Sequence, residues 1–271
     1  MSLARTAWAF LRKDVLEEAS YRWNAVLGLG GIFFMLLFLT IISDFVGPLV
    51  ADRIRPYGGS YFAFVVLGLG ILSFQDAALR QLARKIREAQ LLGTLEALLA
   101  TRTGMPTILV CLPLSVFLQT SFRVFGYLAL GSLFFGLSLE WASWPAALVV
   151  LAGTVVAFGS LGLVVAGLTT AFKRTEPVIN LIGGLSIFLG GIYYPLDQLP
   201  EWLRSVAHLL PITSAVDAAR SALLVEGAHT IEVLRALVPL LVFVVVMLPL
   251  GAGFFRWALR RSMRDGTLTQ Y

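Results

Sequence analysis

Charged residues are scarce in this sequence. Lys, Arg, Asp and Glu make up 14% of the 271 residues, whereas hydrophobic residues make up 58%. A typical soluble domain carries about 25% charged residues. The deficit falls in long apolar runs, and a helix needs only about 20 such residues to cross a membrane. The composition therefore excludes an ordinary soluble domain and predicts an all-α membrane protein.

Residues that bind metals or form disulfides are also few. Cys111 is the one cysteine, so neither an intrachain disulfide nor a CxxC metal or redox motif can form. The two histidines, His208 and His229, lie in the long segment between the fifth and sixth apolar runs, without a partner cluster. We expect no metal ligand and no catalytic base among them.

Nucleotide-binding and hydrolase motifs are missing as well. The sequence has no GxxxxGK[ST] loop, no HExxH, no GxSxG and no GxGxxG that follows a strand. We therefore predict no catalytic residue and no cofactor site in this chain.

Six apolar runs are long enough to be membrane spans. They are Asn24 to Ser43, Gly58 to Gln75, Met105 to Leu137, Ala146 to Phe172, Pro177 to Leu196 and Val233 to Arg256. The runs predict one transmembrane domain over residues 1–271. Its parts are 1–23 (interfacial helix), 24–75 (spans 1 and 2), 77–104 (cytoplasmic segment), 105–196 (spans 3 to 5), 197–232 (outer helices), 233–256 (span 6) and 257–271 (tail).

The basic residues are distributed unequally between the two sides of these spans. With the N-terminus in the cytoplasm, fifteen of the 21 Lys and Arg residues fall in cytoplasmic segments. Cytoplasmic segments of membrane proteins are enriched in Lys and Arg. The sequence therefore predicts six spans with both termini in the cytoplasm, and the net charge of +5 indicates topology rather than nucleic-acid binding.

Two amphipathic segments flank the spans. Residues 1–23 have the spacing of a helix that lies in the cytoplasmic interface, although a soluble helix packed on a partner is an alternative. Between the fifth and sixth runs, prolines separate two short helices, about Leu199 to Leu209 and Thr213 to Val225. We expect them to be re-entrant or interfacial helices that cover the outer side, and an ordinary surface loop is the alternative.

Polar residues inside the runs are rare, and Arg123 is the exception. It lies near the middle of the third run, where it could attract an anionic headgroup or line the path, or else snorkel to the interface or bond to backbone carbonyls. The central parts of the six runs contain no Asp or Glu, which argues against ion-coupled transport. In the fifth run, Gly183, Gly184, Gly190 and Gly191 recur at seven residues, which predicts a close-packing helix face.

Two motifs carry a resemblance to a known family. The outer motif runs from Gly190 to Arg220 and contains Pro195, Leu199, Pro200, Trp202, Pro211, Thr213, Asp217 and Arg220. The inner motif reads Gly-Thr-Leu-Glu at residues 93–96. Both resemble bacterial ABC exporter permeases of the second type, and the six-span layout with an interfacial helix is similar too.

The resemblance implies a permease, which is a transport subunit rather than an enzyme. It would pair with a second copy or a sister permease and dock a separate cytoplasmic ABC ATPase, which holds the ATP and Mg. Residues expected to couple to the ATPase are Glu88, Gln90, Leu91, Leu92, Gly93, Thr94, Leu95, Glu96, Lys173 and Arg174. Candidates for the substrate path are Gln119, Arg123, Phe188, Tyr193 and Tyr194, although the tyrosines also fit an ordinary interfacial aromatic belt. The outer gate is expected at Pro195, Leu199, Pro200, Trp202, Pro211, Asp217 and Arg220.

The expected function is export of an amphiphile (a drug, lipid or lipid-linked glycan) across the cytoplasmic membrane of a bacterium or archaeon, in contact with membrane lipids and no nucleic acid. Three alternatives stay open. They are a channel or secondary transporter that works without ATP, a membrane-bound enzyme or assembly factor, and a family relative that signals or extracts lipid.

Overall fold

The computed structural model describes residues 22–91, 105–140, 144–172, 175–225 and 230–264. Within these ranges the chain forms helices and turns and no strand. The helices are α1 (Arg22–Ile54), α2 (Tyr61–Asp76), α3 (Leu82–Leu91), α4 (Met105–Phe134), α5 (Trp144–Ala171), α6 (Glu176–Leu189), α7 (Glu201–Ala207), α8 (Pro211–Leu223) and α9 (Thr230–Arg264). The predicted all-α fold is confirmed, whereas the interfacial helix at 1–23 falls almost wholly outside the described residues.

Among the described residues, four helical segments are long and apolar enough to cross a membrane. They are Leu27–Tyr57, Tyr61–Glu88, Trp144–Ala171 and Val233–Ser262. The helix α4 holds the third predicted run and keeps Pro113 in its interior. Such prolines are tolerated in membrane helices because neighbouring groups satisfy the carbonyl that the ring leaves without a donor.

The first span is longer than the sequence predicts. The segment Asp44 to Tyr57, expected to be an outer loop, continues α1 as far as Ile54 despite Pro48. A 3₁₀ turn at Arg55–Tyr57 and two glycines with positive φ, Gly58 (81°) and Gly59 (73°), then reverse the chain. The Ser60 hydroxyl caps α2 by accepting the N–H of Ala63 at 3.3 Å. A helix of 33 residues is about 50 Å long, so it extends beyond a hydrocarbon core of about 30 Å.

The fifth span is shorter than the sequence predicts. The helix α6 has 14 residues and ends at Leu189, so at about 21 Å it does not cross the hydrocarbon core by itself. Gly190 and Gly191 follow its end, and the φ of Gly191 is +65°. They therefore form a turn, and the expectation that they share a helix face with Gly183 and Gly184 is wrong.

Two short helices follow this turn, as predicted. A 3₁₀ turn (Leu196–Gln198) leads to α7 and α8, and most of α8 is buried. The helix α8 packs against α2, α5 and α9, and it forms the main core with Phe74, Phe158 and Leu240. The last helix runs to Arg264, past the predicted boundary at Arg256.

The helices differ in how much of their surface their neighbours cover. The helix α2 is almost enclosed, whereas α1 and α9 expose most of their apolar side chains. Phe45 on α1 is 75% exposed and Val245 on α9 is 72% exposed. Exposed apolar faces of this size fit lipid or another protein chain rather than water.

Candidate functional site

The outer motif is organised around one buried arginine. Arg220 on α8 is 1% exposed, and its guanidinium donates four hydrogen bonds to backbone carbonyls. Nε and Nη2 donate to Phe64 on α2 at 3.2 and 2.9 Å, Nη1 donates to Gly191 at 2.8 Å, and Nη2 donates to Ile192 at 3.0 Å. Arg220 therefore joins α8, α2 and the turn after α6, and we call this group the arginine clamp.

Aromatic rings complete the surroundings of the guanidinium. Its Cζ lies 3.3 Å from the centroid of the Phe64 ring and 5.7 Å from that of Tyr57. Burial lowers the pKa of Arg220 to about 9, and the carboxylate of Asp217 opposes that shift. Burial likewise raises the pKa of Asp217, which the positive charge of Arg220 opposes. Arg220 remains a cation at neutral pH, and cation–π contact with the rings adds to its hydrogen bonds.

Two glycines make room for the arginine clamp. A Cβ on Gly68 would lie 3.1 Å from Nη2 of Arg220 and from the carbonyl oxygen of Ile192. Gly191 presents its carbonyl to Arg220 from a backbone with φ of +65°, a conformation that costs other residues about 1–2 kcal/mol. The close approach of Arg220 explains the glycine at position 68, and the positive φ explains the glycine at position 191.

The other predicted gate residues surround this clamp in different ways. Pro195 and Pro211 are buried, Leu199 and Asp217 are half-buried, and Pro200 is exposed, as is Trp202 at 69%. The buried Thr213 hydroxyl donates to the Ala207 carbonyl at 2.7 Å and joins α8 to α7. Arg204 of α7 donates to the Asp197 carbonyl at 2.6 Å. The motif thus forms one packed unit, with Trp202 on its surface.

The predicted substrate-path residues do not line one common cavity. Arg123 lines a cavity of about 290 Å³ between α1, α2, α4 and α6, together with Met35, Tyr127 and Gly183. Gln119, Phe188, Tyr193 and Tyr194 are absent from the described lining of this cavity. Tyr194 instead donates to the Phe188 carbonyl, and the Tyr193 carbonyl accepts from Tyr61 at 3.2 Å.

The sequence analysis missed the polar residues beside Arg123. Gln75 and Asp76 end α2, and Arg80 lies in the π-helical turn Ala77–Gln81 that continues α2 into α3. Arg80 Nε lies 2.6 Å from the Asp76 carboxylate, and Nη1 donates to Asn180 of α6 at 2.9 Å. All but Asn180 line the Arg123 cavity. An acidic and a basic residue four apart at the end of an apolar run was the signal available.

Asp76 lies just beyond the predicted end of the second run at Gln75. The helix continues past it through the π-helical turn Ala77–Gln81 into α3, and the helical segment that begins at Tyr61 extends to Glu88. The expectation that the central parts of the spans lack Asp and Glu stays a prediction.

A second cavity adjoins the first on the side of α3. It has a volume of about 230 Å³, and its lining includes Arg80, Arg84, Arg87, Thr175 and Glu176. Arg80 lines both cavities. A row of basic residues therefore leads from α3 toward the cavity that contains Arg123.

Comparison with known proteins identifies the family. A sequence model described as "ABC-2 type transporter" matches residues 26–224. That range includes the arginine clamp, both cavities and more than half of the 271 residues. The chain belongs to the ABC-2 type transporter family. It is a multi-pass membrane protein of a family of transport permeases.

Relatives of this ABC-2 family member include two proteins named Nodulation protein J. That of Rhizobium leguminosarum bv. trifolii is 31% identical over 125 residues, which cover 46% of each chain. That of Bradyrhizobium diazoefficiens is 27% identical over 184 residues, which cover 66% of this chain and 68% of the relative. The chain thus spans about half the length of the first relative.

A further relative is similar over more of its length. Inner membrane transport permease YadH of Escherichia coli K12 is 26% identical over 225 residues, which cover 78% of this chain and 80% of the relative. Its name assigns that protein to the inner membrane. The similarity extends over more than three quarters of this chain.

Most residues predicted to couple the permease to an ATPase lie outside the described part of the chain. Leu92, Gly93, Thr94, Leu95, Glu96, Lys173 and Arg174 all fall there. Glu88 is exposed on the last turns of α3, and Gln90 and Leu91 end that helix. The helix that continues the second span through the π turn ends at Leu91.

Proposed function

We propose that this chain is the membrane-spanning permease subunit of an ABC exporter and moves an amphiphilic substrate out across the cytoplasmic membrane. The observation that carries the proposal is a polar cavity, which contains Arg123, inside a bundle whose sequence belongs to the ABC-2 type transporter family. An amphiphile needs polar groups for its headgroup and apolar surface for its chain. The cavity offers both, since Met35, Leu69 and Leu72 line it beside Arg123.

The proposed topology has six membrane crossings and both termini in the cytoplasm. Four crossings are the long apolar segments, and α4 is the fifth. The remaining crossing, which is the fifth in chain order, combines α6 with the turn that follows it, because α6 alone is too short to cross the membrane. The helices α7 and α8 then cover the outer side, and the basic residues of α3 lie on the cytoplasmic side.

The energy source in this proposal is a separate ABC ATPase. The ATPase would contact the segment that begins with Glu88 on α3 and continues through residues 92–101. A second permease, either a copy or a sister chain, would pack on the exposed apolar faces of α1 and α6, where Phe34 is 71% and Leu181 is 63% exposed. Closure of the ATPase dimer would then move the spans that enclose the cavity.

Co-purification from the native host tests this function. The detergent-solubilised protein is captured, its partners are identified by mass spectrometry, and ATP hydrolysis by the complex is measured. We expect a P-loop ATPase to co-purify and to be released by Glu96→Lys combined with Leu92→Asp. The control is Glu201→Lys, which makes the same charge change as Glu96→Lys but on the exposed surface of α7. Purification without an ATPase would contradict the proposal.

One observation favours a second candidate function, a transporter that works without ATP. Asp76 lies within the candidate span Tyr61–Glu88, and ion-coupled transporters use carboxylates at such positions. This function predicts solute movement into liposomes by the permease alone, driven by an ion gradient and abolished by Asp76→Asn. Transport that instead requires ATP and the partner ATPase would exclude it.

A further inference from the structure

An apolar cavity lies beside α2 and α4, on faces other than those that line the Arg123 cavity. It has a volume of about 120 Å³ and is enclosed by α2, α4, α5 and α8. Its lining residues on α4 are Ser121, Val124, Phe125 and Leu128. They are spaced as neighbours on one helix face, whereas Arg123 and Tyr127 line the Arg123 cavity from another face. We call the new space the α4–α5 cavity.

The lining of the α4–α5 cavity is apolar. The helix α2 contributes Leu67, Ile71 and Phe74, and α8 contributes Ala219 and Leu223. The described lining contains no charged side chain. The Ser121 hydroxyl donates to the Phe117 carbonyl of its own helix at 2.8 Å, so its donor is satisfied. The cavity therefore offers a ligand dispersion contacts rather than charge.

The cavity is elongated along the helices. Its lining extends over two turns on each of three helices, from Leu67 to Phe74, from Ser121 to Leu128 and from Trp144 to Leu151. Two turns are about 11 Å long. The helices α2 and α5 lie in candidate membrane spans, and α4 is a further proposed crossing. A narrow slot therefore follows the helices through the bilayer, in the direction that lipid chains also take.

The slot opens onto an apolar face of the bundle. Phe125 on α4 and Leu148 on α5 line it and are 60% and 59% exposed. Beside them, Phe122 and Val149 are 76% and 53% exposed. Apolar side chains exposed on a membrane-spanning helix are surrounded by hydrocarbon. The hydrocarbon of the bilayer therefore reaches the opening.

Small residues keep the cavity open. Ala147 of α5 and Ala219 of α8 contribute only a methyl group each to its lining. A Cβ on Gly70 would lie 3.3 Å from Cγ1 of Val124, so α2 and α4 approach closely at that point and close the cavity on the side of the Arg123 cavity. An apolar cavity of about 150 Å³ in another protein stays dry and binds benzene. An apolar occupant is favoured here for the same reason, because water would find few polar partners.

We propose that the α4–α5 cavity binds one hydrocarbon chain of a lipid from the surrounding bilayer, which enters between Phe125 and Leu148. A slot two turns long fits such a chain better than it fits a side chain of a second permease. The bound chain would contact α2 and α4, the same helices that line the Arg123 cavity from their other faces. The site goes beyond the proposed function, because lipid binding there requires neither an ATPase nor transport.

Photolabelling in a bilayer tests the proposal. The full-length chain, with no ATPase added, is placed in phosphatidylcholine nanodiscs in which part of the lipid carries a diazirine midway along one acyl chain. After illumination, labelled residues are identified by mass spectrometry. We expect label on the half-buried Val124 and Leu151 inside the cavity as well as on the exposed Phe125 and Leu148. Label confined to exposed residues would overturn the proposal, because the cavity would then be empty or covered by another chain.

Variants that fill the cavity locate the site. Ala147→Phe should reduce the label on Val124 and Leu151 about tenfold, since losing the burial of two methylene groups already weakens binding by about that factor. Ala147→Leu fills less of the space and should reduce the label less, and it decides the question if the larger variant does not fold.

The matched control is Val149→Phe, which adds the same ring on the exposed face of α5 and should change the label by less than about twofold. Unchanged labelling of Val124 and Leu151 in an Ala147 variant that elutes and melts like the wild type would refute the site.

The lipid headgroup provides a separate test, because the described lining carries no charge. Phosphatidylglycerol with the same photoreactive chain should label Val124 and Leu151 as strongly as phosphatidylcholine does. Labelling by only one of the two lipids would overturn a site that binds the chain alone. Because no ATPase is present, absence of label is distinguishable from failure of an ATPase to co-purify.

Discussion

Two arginines in this protein, Arg220 and Arg123, occupy opposite environments. Arg220 is 1% exposed, makes four hydrogen bonds to backbone carbonyls and contacts the ring of Phe64. Arg123 is exposed to a cavity and, among the described residues, makes no hydrogen bond. A guanidinium with its donors already satisfied stabilises a fold, whereas one with open donors can bind a ligand.

The same contrast separates the outer motif from the cavity that contains Arg123. The outer unit is built from turns and buried prolines, with α7 packed against α6 and α8 packed against α2. The Arg123 cavity is lined in part by polar side chains. Among them, the ion pair of Asp76 and Arg80 is about half exposed. We therefore expect substitutions in the outer unit to change stability, and substitutions in the cavity to change transport.

The largest expected effect is that of Arg220→Met. The substitution leaves the buried carbonyls of Gly191 and Ile192 without this donor, so we expect the free energy of unfolding to fall by about 3 kcal/mol or more. Thermal unfolding in detergent, followed by tryptophan fluorescence, measures it. Arg235→Met on the exposed surface of α9 is the control. A melting temperature like that of the wild type would show that the clamp does not stabilise the fold.

Alanine substitutions of two glycines, one within α6 and one just after its end, should change the free energy of unfolding in opposite directions. Gly191→Ala places a Cβ on a residue with φ of +65° and 3.1 Å from Leu196 Cγ, and should cost about 1–2 kcal/mol. Gly184→Ala meets nothing within 4 Å in the middle of α6 and should stabilise by about 0.5–1 kcal/mol. The same melting assay compares them. Equal shifts in melting temperature would show that the turn after α6 does not require glycine more than the helix interior does.

Asp76→Asn should change stability by less than about 1 kcal/mol, because the ion pair is about half exposed. Transport by the reconstituted complex should nevertheless decrease, since Arg80 then has one anionic partner fewer and holds α6 through Asn180 alone. Melting and transport are measured on the same preparation. A drop in melting temperature like that of Arg220→Met would show instead that Asp76 stabilises the fold.

Arg123→Ala should have the smallest effect on stability and a large effect on transport. An exposed side chain outside any hydrogen-bond network changes the free energy of unfolding by no more than about 0.5 kcal/mol. If Arg123 lines the path, transport should be abolished in a protein that melts normally. Normal transport by such a well-folded variant would show that Arg123 is not needed for transport.

Helix content was predictable from the sequence, but several helix ends were not. The apolar runs placed α1, α2, α4, α5 and α9 because hydrophobicity alone identifies a candidate span. Hydropathy did not show that α1 continues through Asp44 and Pro48, because polar residues at the end of a span are compatible with both helix and loop. It also did not show that α6 stops at Leu189, because the buried turn after it is as apolar as a helix.

The candidate sites were predictable in part. Arg123 stood out as a charge within an apolar run, and Arg220 belonged to a recognisable motif. Their roles were not evident from the sequence. Arg123 was placed on a path because a charge within a membrane run is costly, and Arg220 was placed in a gate by resemblance alone. Gln75, Arg80 and Asn180 were missed because their meeting depends on the π turn and on the packing of α6 against α2.

The sequence by itself determined that this chain is an all-α membrane protein of the ABC-2 type transporter family, because long apolar runs and a contiguous motif are properties of the linear chain. Only the tertiary structure decided which polar side chains meet. Phe64 and Arg220 are 156 residues apart, and Arg80 and Asn180 are 100 apart. Contacts over such separations form only when helices pack, and packing alone buried one arginine and left the other open to a cavity.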